Sequence, residues 1–152
     1  MRRFWQRGKF HLSALVMLVP LPFLPRYLAE KPPPVAPEIH RQVAVGPFAL
    51  GLVTLDRPPY RGSAGERMKD YDVRFQPGDM ESIRGVFLRV GKPRNLRTAG
   101  ALAGGGVYRQ HAHVMLPDQL SGSEDLWLTV EKWDGTVHQA SVPLADVLGG
   151  KK

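Results

Sequence analysis

Past Arg41 the chain never sustains a helical period. Apolar residues alternate with polar ones in short runs, and proline, glycine or an Asp-Gly pair stops each run. That pattern suits extended strands joined by tight turns. Lys69–Phe75 is the sharpest case, with Tyr71, Val73 and Phe75 on one face, Asp70, Asp72 and Arg74 on the other, and the turn Gln76-Pro77-Gly78-Asp79 beyond it. Arg41–Val45, Phe48–Leu55, Ile83–Val90, Val107–Leu116, Leu126–Trp133 and Thr136–Val142 complete a set of seven expected strands. Asp56-Arg57-Pro58-Pro59 ends the second, because proline cannot donate to a central ladder, and Pro117-Asp118 ends the fifth. Between the last two, Asp134-Gly135 predicts a two-residue type I′ hairpin, since glycine accepts the positive φ it needs. That register sets Glu131 opposite His138 as a cross-strand pair. Trp127 and Trp133 fall on one face of the same strand and read as core and rim packing. The expected fold class is all-β, an immunoglobulin-like antiparallel β-sandwich over 41–148, although an open barrel fits the same string.

The N-terminal stretch follows other rules. Phe10–Leu28 carries no charge before Arg26, and as a helix it would reach about 28 Å, enough for one transmembrane helix. Arg2, Arg3, Arg7 and Lys9 precede it and only Arg26 and Lys31 follow closely, a bias that holds residues 1–9 in the cytoplasm and exports the domain. Pro20, Pro22 and Pro25 predict that the regular helix ends near Val19. A cleavable signal peptide has the same outline, but Tyr27-Leu28-Ala29 puts a bulky residue where a small one is wanted, which favours a retained anchor. Residues 29–40 contain Lys-Pro-Pro-Pro-Val-Ala-Pro from Lys31 to Pro37, a polyproline II spacer, and 149–152 form a short tail.

Charge and composition exclude several functions. Of the formal net charge of +7, residues 1–30 hold +4, from five basic residues against Glu30. Residues 31–152 carry 16 basic and 13 acidic residues, giving the remaining +3, with two of those positive charges in the Lys151-Lys152 tail, so the domain is close to neutral and no nucleic-acid partner is expected. Without cysteine there is no disulfide framework, thiolate zinc site, iron–sulfur cluster or catalytic thiol. No GxSxG, Ser–His–Asp or paired-carboxylate arrangement is recognisable, and the expectation is a protein that is not an enzyme.

Two features could bind something. In His111-Ala112-His113-Val114-Met115 the period of two aligns His111, His113 and Met115 on one strand face. Two imidazoles and a thioether suit a copper ion or, with other partners, iron or zinc. Same-face neighbours along a strand lie nearly 7 Å apart, so such a site needs ligands from adjacent elements, for which His138 and Met80 are available. The other reading of the row, which begins with Arg109, is a solvated face opposite Tyr108, Ala112, Val114 and Leu116. The second feature is the loop Gly91–Gly106, where Lys92, Arg94 and Arg97 join exposed glycine amides that could cradle a phosphorylated cofactor or another anion. It lacks the GxxxxGK[ST] and GxGxxG spacings, and the alternative is a mobile sandwich loop.

Met1-Arg2-Arg3-Phe4-Trp5, the proline-rich spacer, His111–Leu116, Leu126-Trp127-Leu128 and Trp133-Asp134-Gly135 together resemble small single-pass accessory proteins of bacterial metal-handling operons, notably those beside PepSY-type membrane reductases that release iron from siderophores. The layout is also similar to copper-oxidase assembly proteins with a membrane anchor and a periplasmic sandwich. The resemblance implies a protein anchored in the inner membrane, with a periplasmic domain that assists metal or siderophore-iron handling by contacting a membrane reductase or transporter. A metal chaperone using His111, His113 and Met115 is the second expectation, and an anion or thiamine diphosphate binder using the Lys92–Gly106 loop the third. Nothing in the chain matches the cofactor motif of thiamine enzymes, so the resemblance carries no such residue.

Overall fold

Residues 15–29 and 34–150 are described in the computed structural model of the chain, which divides into a unit spanning Met1–Val35 and one spanning Ala36–Lys152. In the first unit proline governs the backbone. Residues 15–18 are helical, Leu21–Phe23 form a 3-10 turn, and Leu24–Ala29 form a short helix, α1. A proline lacks the amide that a continuing helix requires. The chain tightens accordingly, with the Val19 amide donating to Val16 O (3.2 Å) and that of Phe23 to Pro20 O (3.0 Å). Among the described residues no helix is long and apolar enough to cross a membrane. The expected transmembrane segment at 10–28 lies partly outside the described residues, as do Arg2, Arg3, Arg7 and Lys9.

The second unit is built from ten strands: β1 (Glu38–Val45), β2 (Phe48–Leu55), β3 (Tyr60–Arg61), β4 (Arg67–Arg74), β5 (Ile83–Val90), β6 (Ala101–Leu102), β7 (Gly104–Gly105), β8 (Arg109–Leu116), β9 (Asp125–Lys132) and β10 (Val137–Pro143). They form two antiparallel sheets, β1-β2-β4-β8-β7 with β3 beside β4, and β10-β9-β5-β6. Alternation places Leu50, Leu52, Tyr71, Val73 and Val114 of the first sheet and Val86, Leu88, Leu126, Leu128 and Val130 of the second in one core, each no more than 1% exposed. Burying a side chain of this size contributes about 1.5–3 kcal/mol. The helical segments of this unit are single turns at Leu96–Thr98, Asp79–Ser82 (α2) and Leu144–Val147 (α3), the last placing Leu144 and Val147 in the core.

The β-sandwich expectation holds, but the connectivity departs from the immunoglobulin order. An immunoglobulin sheet joins its first, second, fifth and fourth strands. Here the third long strand, β4, stays beside β2, and the fourth, β5, crosses to the second sheet. The link that carries β3 hairpins back onto β4 and keeps it in the first sheet, while the α2 turn carries the chain across. The stretch expected as an open loop before β8 also holds strands. Its β6 pairs with β5 and its β7 with β8, so it bridges the two sheets.

The last hairpin corrects the expected register. The Lys132 amide bonds to Thr136 O (2.9 Å) and the Gly135 amide to Lys132 O (3.0 Å), and Gly135 has φ +82°. This is a three-residue loop with glycine in the left-handed position rather than a two-residue type I′ turn. The extra residue shifts the ladder by one, so Glu131 faces Val137 while His138 faces Val130. Glu131 pairs instead with Arg84 across β5 (3.0 Å), and His138 sets its ring edge-on to Phe48. Trp133 leaves the strand for the turn and is 67% exposed, so it does not share packing with Trp127.

Candidate metal centre

The pairing of β4 with β8 puts Asp72 opposite His111 and Asp70 opposite His113. Their neighbours Tyr71, Val73, Ala112 and Val114 are buried in the core, so all four polar side chains project from the outer face of the first sheet. Directly opposed residues sit close enough for their side chains to meet. His111 Nδ1 lies 2.8 Å from Asp72 Oδ1, and His113 Nδ1 lies 2.8 Å from Asp70 Oδ1. The imidazole rings meet edge to face at 4.6 Å.

Two further groups fix the carboxylates. Arg109 Nη2 reaches the second oxygen of Asp72 at 2.7 Å. Burial raises the Asp72 carboxyl, but the hydrogen bonds from His111 and Arg109 outweigh it and hold the group below its ordinary value. From β3, the Tyr60 hydroxyl donates to Asp70 Oδ1 (2.7 Å) and lies 3.2 Å from His113 Nδ1. That bond to Asp70, reinforced by burial and the nearby charges of Asp70 and Glu66, pushes the phenol up to about 12.

One potential ligand atom from each of Asp70, His111 and His113 lies within 4.8 Å of the other two. Metal–ligand bonds of about 2.0–2.2 Å separate neighbouring ligand atoms by about 3.0–3.5 Å, so small side-chain rotations would bring these three onto one ion. With Nδ1 of His111 bonded to Asp72, its Nε2 is the nitrogen left for a metal, and it lies 3.9 Å from Asp70 Oδ1. A carboxylate that fixes the tautomer of a ligating histidine is a recurrent supporting feature of metal sites. Next to the triad, a cleft of about 220 Å³ is lined by residues that include Asp70, Asp72, Tyr60 and His111.

Residues 4–145 match the family described as Uncharacterised conserved protein UCP029505. The chain belongs to that family. No curated protein and no solved structure matches it.

The remaining expected site residues of this UCP029505 member separate. Met115 continues the face of His111 and His113, but it stands opposite Met68, is 63% exposed and does not line the cleft. His138 belongs to the other sheet, and Met80 packs against the core. The neighbouring groups that the His–His row required are therefore Asp70, Asp72 and Tyr60. Sequence periodicity does set both aspartates on the outer face of their strand; it does not say which strand lies alongside.

The basic loop is organised by its own contacts. Asn95 and Thr98 form a reciprocal capping box, in which the Thr98 amide donates to Asn95 Oδ1 (3.2 Å) and the Asn95 amide to Thr98 Oγ1 (3.1 Å). The Arg94 amide also bonds Thr98 Oγ1 (3.0 Å), so three loop amides already have acceptors. The Lys92 ammonium lies 5.3 Å from the centre of the Trp127 ring, and Arg94 and Arg97 are exposed. Lys92, Arg94 and Arg97 line neither the cleft beside the triad nor the one bordered by His40, Gln42 and Arg74.

Proposed function

We propose that this protein is a membrane-tethered, non-enzymatic accessory module that binds a divalent transition-metal ion through Asp70, His111 and His113 and presents it to a membrane partner. The observation that carries the reading is the convergence of two imidazoles and one carboxylate within 4.8 Å, with Asp72 and Arg109 orienting His111. Two nitrogens and one hard oxygen favour iron(II), zinc or copper(II) over copper(I), which would call on a thioether such as Met115. Support for the tether is the basic start followed by an apolar stretch, in which Leu15, Val16, Leu18, Phe23 and Leu28 are all exposed. On this reading the chain keeps its anchor in the inner membrane with the domain in the periplasm, and the partner is a reductase or transporter that handles metal or siderophore iron. The sandwich is immunoglobulin-like in its two-sheet architecture and differs from it in strand order.

Metal titration of the purified full chain tests the site. The expected result is one ion per chain, lost when His111 and His113 are both replaced by Asn, with the circular dichroism spectrum unchanged because the core neighbours Ala112 and Val114 are untouched. Identical titrations for wild type and the double variant would remove the site. A reporter fused after Lys152 tests the tether: activity of a cytoplasm-only reporter there would overturn the topology and leave the metal site standing.

A further inference from the structure

The cleft beside the triad has a charge inventory of its own. Three cations, Arg57, Lys69 and Arg109, and three carboxylates, Glu38, Asp70 and Asp72, line it. The carboxylates are all engaged: Glu38 with His40 and Arg74, Asp70 with His113 and Tyr60, Asp72 with His111 and Arg109. Lys69 is 3% exposed and spends its ammonium on Leu55 O (2.7 Å) and Arg57 O (2.6 Å), which pins the backbone of the cleft wall. Arg57 differs from the rest. Among the described residues its guanidinium has no ion pair and no hydrogen bond.

Resting on the metal reading above, we propose that the ion is bound together with a small oxyanion of the phosphate or carboxylate class, which occupies the cleft, coordinates the ion and is held by Arg57. Charge and coordination number both call for a further donor. The lining charges balance, so a divalent ion on Asp70 and two neutral imidazoles brings two positive charges that nothing in the cleft compensates. Three protein ligands also leave positions open for a further donor. Asp70 and His111 belong both to the triad and to the cleft lining, which directs those positions into the cleft. A planar guanidinium with free donors beside an open metal position is suited to grip an oxyanion while the ion holds its other oxygen.

Cobalt(II) is a suitable probe, because its visible absorption reports the ligands it carries. The full chain is titrated with cobalt(II) alone, then with inorganic phosphate added, then with acetate added, and the series is repeated with Arg57→Gln. The expected result is that cobalt(II) binds alone and that one anion shifts the spectrum and tightens cobalt binding by about tenfold, the responding anion identifying the source. Arg57→Gln should bind cobalt(II) alone with wild-type stoichiometry, which shows that it is folded, and lose most of the response to the anion. Cobalt binding that ignores both anions, or an Arg57→Gln variant that responds like the wild type, overturns the oxyanion proposal and leaves the metal reading in place. A wild-type chain that binds no cobalt(II) overturns both.

Discussion

Replacing Asp72 by asparagine tests how the site is held together without touching a proposed ligand. In the folded chain one Asp72 oxygen faces His111 Nδ1 at 2.8 Å and the other faces Arg109 Nη2 at 2.7 Å. Both partners can donate, and a carboxylate accepts from both. An asparagine has one accepting and one donating end. If its oxygen stays on Arg109, its NH2 group faces His111 Nδ1, which favours the imidazole tautomer with the proton on Nε2, the nitrogen proposed to bind the metal. If it turns the other way, His111 keeps its tautomer, but two donors collide at Arg109. Either arrangement weakens the orientation of His111, and loss of such a supporting partner typically lowers metal affinity by about 10–100-fold. The effect on stability should be small, about 1 kcal/mol, because Arg109 and His111 are substantially exposed and exposed ion pairs contribute little. Zinc titration against a chromogenic competitor gives the affinity, and urea denaturation of the same preparations gives the stability. A variant with wild-type affinity would refute the supporting role of Asp72, and one that loses several kcal/mol of stability would show that the residue acts on the fold instead.

The same carboxylate predicts an acid dependence: its folded value lies below the ordinary 3.8, so its contribution is complete above that pH and fades as the pH falls through the folded value. Wild type should therefore lose its stability advantage over Asp72→Asn in acid below about pH 4, and a difference that stays constant through that range would contradict it. Gly135→Ala should cost about 1 kcal/mol in urea denaturation, because φ is +82° there, whereas Gly135→Asn should cost less; equal losses for the two would count against a left-handed turn. The Tyr71 hydroxyl is buried and has no hydrogen-bond partner among the described residues, so Tyr71→Phe should leave stability unchanged or raise it by up to about 1 kcal/mol. A loss greater than that would mean the hydroxyl is satisfied in solution.

Much of the strand plan is legible from alternation alone. The expected Phe48–Leu55 and Ile83–Val90 coincide with β2 and β5, and Tyr71, Val73 and Phe75 face the core as their spacing requires. The His111–His113 row and the Asp70–Asp72 row are each visible as the outer face of a strand. Their meeting is not, because periodicity within a strand carries no information about its neighbour. The hairpin shows the same limit on a smaller scale: Asp134-Gly135 announces a turn, but two-residue and three-residue loops use the same residues. Only the backbone bond from Lys132 to Thr136 decides which register results, and with it the partners of Glu131 and His138.

By itself, then, the sequence determines which face of each long strand turns inward, since a period of two and a buried face leave no other choice within a strand, whereas Tyr108 and Trp133, expected to pack at strand ends, are exposed. The tertiary structure alone decides that β4 stays beside β2 and receives β8 on its other edge, because strands with the same alternation can pair in several orders, and the winning order is selected by the link carrying β3, by the α2 turn and by the packing of the whole core. From that one choice of neighbour, two aspartates and two histidines far apart in the chain come within hydrogen-bonding distance.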